Sequence, residues 1–267
     1  MDIKKIETLI KKIEEAELVL IGIGEEWGIP RDNLLNNSYY EKFMQTVGEN
    51  SDLLPFMEKA LIDFDKIEGV SEKIELYKKL RDIVANKNYF VVSLCTDGLI
   101  EKAGFKEERI VQPCGTITKL QCSEKCTTEI YDSDKDFIKK IAMVAENNSS
   151  VEELKVPVCP HCGKPLVFNN IYAQNYAEEG YLDKWQIYMK WLQGTVNRNT
   201  CIIELGVGMR FPSVIRWPFE KIAFFNQKAT FFRVHSKLYQ TTEEIKEKSY
   251  GIKAEPAEFL KELYNRL

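Results

Sequence analysis

The sequence predicts an α/β protein: a Rossmann-type, doubly wound parallel sheet carrying a small domain made of a helical segment and a cysteine-bearing insertion. Three observations predict it. Continuous apolar runs that end in glycine or a short polar loop recur along the chain, as strands buried on both faces of a parallel sheet require. Segments with apolar residues at helical spacing separate them, which gives the strand, helix, strand order of a doubly wound fold. Four cysteines fall in two short hooks a long gap apart, Cys122-Ser-Glu-Lys-Cys126 and Cys159-Pro-His-Cys162.

In chain order, Ile3, Ile6, Leu9, Ile10 and Ile13 recur at helical spacing, so residues 2–16 form an amphipathic helix. Leu18-Val-Leu-Ile-Gly22 is the first buried strand. Its exit, Gly22-Ile-Gly24-Glu-Glu-Trp-Gly28-Ile-Pro30, is a Gly-x-Gly turn, which lets a pyrophosphate approach backbone N–H groups but also closes ordinary strand–helix connections. Glu25 and Glu26 repel phosphate there unless they point away. Residues 39–87 read as helical, with Phe43, Met44, Val47, Leu53, Phe56, Leu61, Ile74, Tyr77, Leu80 and Ile83 as buried positions. Tyr89–Leu94 is a second strand that runs into Cys95-Thr-Asp97-Gly98, and Ile110–Gln112 a third that precedes Pro113-Cys114-Gly115. Both loops lie at carboxyl ends of strands, where open parallel sheets place ligands. Residues 133–157 read as a helix followed by the polar loop Glu146–Ser150, and Leu182–Leu192 as a further helix. Cys201–Leu205 and Thr230–Val234 are strands, the former ending in Gly206-Val-Gly208, and residues 256–265 close the chain as a helix.

The two hooks suit a structural zinc site. Each turns a pair of thiolates toward one ion, and Gly163 permits the tight turn after the second. Two disulfides or free thiols are the alternative; the start Met1-Asp-Ile-Lys-Lys lacks the apolar core of a signal peptide, which argues against the disulfides. Four thiolates from Cys122, Cys126, Cys159 and Cys162 complete the coordination, so His161 is left in the surrounding shell or facing solvent. No run approaches the roughly twenty apolar residues of a membrane helix. A net charge of −4 offers no chain-wide basic surface to nucleic acid or anionic lipid. The expected setting is cytoplasmic, without nucleic-acid or membrane partners.

Taken together, the motif order resembles the sirtuin family. Gly-x-Gly with Gly28-Ile-Pro30, a strand ending in Asp97-Gly-Leu-Ile-Glu-Lys-Ala-Gly104, Cys114-Gly115 before a four-cysteine module, and a strand ending in Gly-Val-Gly follow one another over nearly the whole chain. The resemblance implies that Gly22 and Gly24 belong to a phosphate loop, that Asp97 holds a nicotinamide amide, that Gly206 aligns with the Gly of Gly-Thr-Ser, and that His235 stands near the adenosine ribose. It implies NAD or an ADP-ribose-type nucleotide as ligand and a protein as substrate or partner. It also implies a Rossmann-type domain from residues 1–32, 88–118 and 166–267, and a small domain from 33–87 and 119–165.

The departures from that family fall on the chemistry. Cys114 stands where sirtuins have the histidine that acts as base on the ribose hydroxyl, and Cys95 where they have asparagine; Val207 and Gly208 replace a threonine and a serine. With a reference pKa near 8.5, a thiol is a poor base at neutral pH. Cys114 and Cys95 are therefore read as replacements with three roles open: a nucleophile on the ribose carbon, a redox or soft-metal pair if they meet, or small buried residues filling holes. Cys201, the pairs Phe224-Phe225 and Phe231-Phe232, and Trp185, Tyr188 and Trp191 read as packing, and His235 as either a ribose contact or a solvated loop residue. Two functions follow. One is a divergent sirtuin-like protein that binds NAD or an ADP-ribose-type ligand without conventional deacylation. The other is an atypical NAD-consuming transferase, an ADP-ribosyltransferase or deacylase, that works through a cysteine.

Overall fold

A computed structural model describes residues 2–146 and 150–267. Helix α1 (Ile3–Glu15) starts on Asp2, whose carboxylate accepts the N–H of Lys5, and buries Ile6, Leu9 and Ile13. Strand β1 (Leu18–Ile23) is buried along its whole length. A short 3-10 turn at Glu25–Trp27 leads to α2 (Arg31–Leu35), α3 (Ser38–Val47), α4 (Leu54–Asp63) and α5 (Val70–Val84). The expected helical stretch is thus broken twice, at Gly48 and Gly69, whose φ values of +90° and +89° suit glycine alone. Strands β2 (Asn88–Ser93), β3 (Ile110–Val111), β4 (Gly115–Cys122) and β5 (Tyr131–Asp132) follow. Then come α6 (Lys135–Ala145), β6 (Leu166–Asn170), α7 (Glu179–Gln193), β7 (Thr200–Leu205), α8 (Arg216–Phe225), β8 (Ala229–His235), β9 (Ser249–Lys253) and α9 (Pro256–Tyr264). Asn147, Asn148 and Ser149 of the expected polar loop lie outside the described residues.

The main sheet has the order β3-β2-β1-β7-β8-β9 with every pair parallel. Renumbered along this sheet alone, that is the 3-2-1-4-5-6 order of a dinucleotide-binding fold, and it reverses between β1 and β7. Alternation along β1 sends Val19, Ile21 and Ile23 into a core shared with α1, α5 and α9, and Leu18 and Leu20 into a second core with Phe90, Val92, Tyr188, Trp191 and Phe219. Each such side chain contributes about 1.5–3 kcal/mol by leaving water, which is why a continuous apolar run holds the centre of the sheet. Cys201 lies in the first core, as expected.

A second, antiparallel sheet, β5-β4-β6, meets α4 through Phe56 and Phe168, and α4 packs in turn on α3 and α6. Phe56 of α4 joins them, packing edge-on against Phe137 at 5.2 Å and tilted on Phe168 at 4.8 Å. Strands β4, β6 and β9 were not apparent from the sequence. Thr116, Thr118, Lys119 and Gln121 interrupt the apolar signal of β4, and its register with β6 shifts between Gly115 and Leu120. Phe231 and Phe232 are buried, but the expectation for the other pair is corrected: Phe224 is 45% and Phe225 74% exposed at the end of α8. The helical face of α8 is turned inward by Phe219 and Ala223, and positions 224 and 225 fall off it. Among the described residues, no helix is long and apolar enough to cross a membrane.

Candidate functional site

The crevice lies at the carboxyl ends of β1 and β7, where the strand order reverses. Its two walls touch through backbone. Gly24 donates to Leu205 O at 2.9 Å, Glu26 N to Gly206 O at 3.1 Å, and Gly206 N to Val234 O at 2.8 Å. A β-carbon on Gly24 would stand 2.2 Å from Gly206 O, and Gly206 itself has φ +67°, so both positions require glycine. Gly22 has another reason to be glycine: it lies within β1, and a β-carbon there would strike Ile215 at 2.5 Å and Phe219 at 2.9 Å near the start of α8.

The two glutamates of the β1 exit are each engaged. Glu25 turns to the loop after β7, where its Oε2 accepts Gly208 N–H at 3.3 Å and its Oε1 accepts Arg210 N–H at 3.2 Å. Glu26 turns to the loop after β8, where it accepts the backbone N–H and the hydroxyl of Ser236. His235 is the last residue of β8 and is buried, so it is not a solvated loop residue. Its Nδ1 accepts the N–H groups of Lys237 at 3.1 Å and Leu238 at 3.2 Å, which closes the turn that follows. Burial lowers its pKa against the pull of Glu26.

Asp97 begins the turn after β2, its Oδ1 accepting Leu99 N–H at 3.0 Å. Burial raises its pKa, opposed by the Leu99 N–H, the Lys73 ammonium and the Ile29 N–H. Lys73 of α5 lies 5.1 Å from the centre of the Trp27 ring, and its pKa is lowered by burial. Trp27 Nε1 and the Tyr77 hydroxyl are buried without a hydrogen-bond partner among the described residues, and the two rings stand 5.4 Å apart. The Tyr77 hydroxyl stands near the Cys95 thiol and the Ser93 hydroxyl, which leaves the Trp27 indole N–H as a free donor suited to a small polar acceptor such as a carboxamide oxygen. Trp27, Tyr77 and Lys73 were not recognised from the sequence, because on their own segments they read as core or solvent positions.

The two cysteines of interest do not meet as a pair. Cys95 belongs to the core under α1 and α5, where its thiol donates to Gly24 O at 3.4 Å, whereas Cys114 belongs to the core of the opposite sheet face. Burial raises both thiols. Asp97 adds to the effect at Cys95, and Cys114 is pushed up to about 12 by burial and then by Glu25. Burial disfavours the thiolate at both, and each side chain fills space in its own core. Tyr188 and Trp191 pack on Phe90 from α7, and Trp185 packs on Tyr188.

Cys122, Cys126, Cys159 and Cys162 converge, with all four sulfurs within 4.8 Å of one another. Cys122 Sγ stands 3.5 Å from Cys162 Sγ and Cys126 Sγ 3.6 Å from Cys159 Sγ. Thiolates bound tetrahedrally at about 2.3 Å from one ion stand about 3.8 Å apart, so the cluster fits a metal ion of that kind. Gly163, with φ +71°, donates to Cys159 O at 2.9 Å and closes the second hook. His161 stays outside the four sulfurs, exposed and 3.0 Å from Glu129.

No family model matches the chain. Among curated proteins it is 22% identical, over 92% of its own length and 82% of the other's, to a protein ADP-ribosyltransferase of Staphylococcus aureus. It is 25% identical over half of its length to a probable bifunctional ADP-ribose hydrolase/ADP-ribosyltransferase of Fusarium oxysporum f. sp. cubense, 23% of which is covered. Among solved structures it superposes on an ADP-ribose complex of a mutant Sir2 homologue with a TM-score of 0.54 at 13% identity, covering all of this chain and 96% of the other. It superposes equally on Sir2Af2 bound to a myristoylated histone peptide, with a TM-score of 0.53 at 12% identity over 99% of this chain and 96% of that one. This chain therefore has the sirtuin fold.

Proposed function

We propose that this protein is an NAD-consuming transferase that moves ADP-ribose to a protein acceptor. The observation that carries the reading is the crevice at the β1–β7 reversal, where Gly24 and Gly206 bring two strand exits together above Asp97. Near-full-length similarity to a protein named an ADP-ribosyltransferase selects transfer over other uses of the nucleotide. The dinucleotide lies across the reversal, its phosphates toward the loops after β1 and β7. Its carboxamide meets Asp97 and the indole N–H of Trp27. Nicotinamide leaves with the electron pair of its bond to the ribose, and a nucleophile of the acceptor takes its place on the ribose carbon.

Conventional deacylation fits less well. The Cys114 thiol, pushed up to about 12, cannot take a proton from a ribose hydroxyl as a neutral histidine would, because it holds its own. The same fact supports the second reading, in which the chain binds NAD or ADP-ribose and turns none over.

The four-cysteine cluster is assigned to a structural zinc ion that holds the insertion between β4 and β6. In the same reading, residues 33–87 and 119–165 form a small domain over the nucleotide-binding one, and the protein works in the cytoplasm. Proton NMR of NAD+ incubated with the purified full chain tests the activity. Free nicotinamide growing in over hours, absent from a protein-free control, is the expected result. Broadened adenine signals without nicotinamide release would leave the binding reading, and neither signal would sink both.

A further inference from the structure

The contact between Glu25 and the loop after β7 has the form of an anion site already filled. Both carboxylate oxygens are used, one on Gly208 N–H and one on Arg210 N–H. The loop is shaped to this carboxylate: a β-carbon on Gly208 would lie 2.6 Å from Glu25 Oε1, so any larger residue would push the two apart. The place is the strand reversal, where backbone N–H groups of doubly wound folds take phosphate.

Two cations stand near the site, among the carboxylates of Glu26, Glu204 and Glu220. The Arg210 guanidinium lies against the rings of Tyr172 and Phe211, at 5.4 and 5.2 Å, and donates to the Tyr172 hydroxyl at 3.2 Å. Arg216 is half-buried and donates to Val207 O at 2.9 Å and Leu238 O at 3.0 Å, tying the exits of β7 and β8 together. A site with two amide donors and two guanidiniums nearby keeps its affinity for an anion when the carboxylate leaves. Leaving is easy. At 3.2–3.3 Å the two hydrogen bonds are at the long end of the range, and Glu25 is half-buried in a three-residue 3-10 turn.

We propose that Glu25 is a latch: its carboxylate takes the place of a ligand phosphate on the amides of Gly208 and Arg210, and a nucleotide binds only by displacing it. This rests on the nucleotide-binding reading above and adds a residue that sets affinity and selects for ligands whose phosphate outcompetes a carboxylate.

Calorimetric titration of ADP-ribose into the full chain tests it, with wild type, Glu25→Gln, Glu25→Ala and, as an exposed control, Glu244→Gln. Hydrogen bonds to a charged group have a strength that predicts about ten- to hundredfold tighter binding for Glu25→Ala, a smaller gain for Glu25→Gln and none for the control. Adenosine, which has no phosphate, should bind all four alike. Wild type and Glu25→Ala binding ADP-ribose equally would overturn the latch and leave nucleotide binding standing. No binding by any of the four at millimolar ligand would overturn both. Should Glu25→Ala unfold, the isosteric Glu25→Gln carries the comparison. Slower nicotinamide release with unchanged affinity would also overturn the latch and place Glu25 among the groups acting on the ribose.

Discussion

Replacing Arg233 with methionine removes the centre of a buried charge network beneath the crevice. Arg233 of β8 and Glu204 of β7 are register partners in the sheet, 1% and 0% exposed at their side chains. The guanidinium gives Glu204 two bonds, at 2.6 and 3.2 Å, and also donates to Glu220 at 2.7 Å and Gln240 O at 2.8 Å. Without it, Glu204 is a buried carboxyl with no ion-pair hydrogen bond and only the more distant Arg216 guanidinium as a cation, a loss of about 3–5 kcal/mol. The Tm should fall by roughly 6–20 °C.

The pH dependence carries a sign. Burial raises Glu204 to about 7 despite Arg233, so between about pH 4.5 and 7 the folded protein holds a proton that the unfolded chain has released. Stability from this group is therefore lost as pH rises through that window, in wild type and variant alike. Above pH 7 the wild-type carboxyl ionises against Arg233 and its curve flattens. The variant cannot ionise there and goes on losing about 1.4 kcal/mol per unit. Calorimetric melting from pH 5 to 8.5 measures both terms. An offset under about 1 kcal/mol, or parallel curves above pH 7, would refute the reasoning.

Three further outcomes are expected. Native mass spectrometry should find one zinc ion per chain, and exhaustive chelation or Cys159→Ser should lower the Tm; an unchanged melting curve after chelation contradicts a structural ion. Gly24→Ala forces a β-carbon against Gly206 O, so ADP-ribose binding should weaken about a hundredfold, and calorimetric affinity within threefold of wild type would count against the crevice as the site. Cys114→Ser should leave nicotinamide release within about twofold of wild type, because the thiol it replaces is protonated throughout the neutral range; a tenfold loss would restore the cysteine to the reaction.

The parts of this fold that were legible are those where one physical demand decides the residue. A strand buried on both faces is apolar over most of its length, so β1, β2, β7 and β8 announced themselves even with the buried Glu204–Arg233 pair in the last two. The two cysteine hooks were equally plain, since their spacing suits four sulfurs converging on one centre, as they do. Strand β4 answers two demands, pairing on both sides and exposing Thr118 and Lys119, and its pattern blurred. The candidate site was legible as a place and illegible as an arrangement. Gly22 reads as a phosphate-loop glycine in sequence, yet its neighbours are Ile215 and Phe219, far along the chain. The partners of Glu25, Trp27 and Tyr77 are likewise set by long-range packing, which no local spacing encodes.

The pairing of β1 with β7 matches Leu18 to Thr200 and Ile23 to Leu205, so the centre of the sheet joins the first strand of the chain to one near its end. Contacts of such separation close a very long loop, which slows folding and defers the joint until the intervening chain has condensed. The crevice sits on that seam. It has no floor until this long-range pairing is made, so a chain in which β7 has not joined β1 lacks one of its walls. A ligand held across the seam would meet only molecules in which the two strands have joined, and its binding would resist the reopening of that joint.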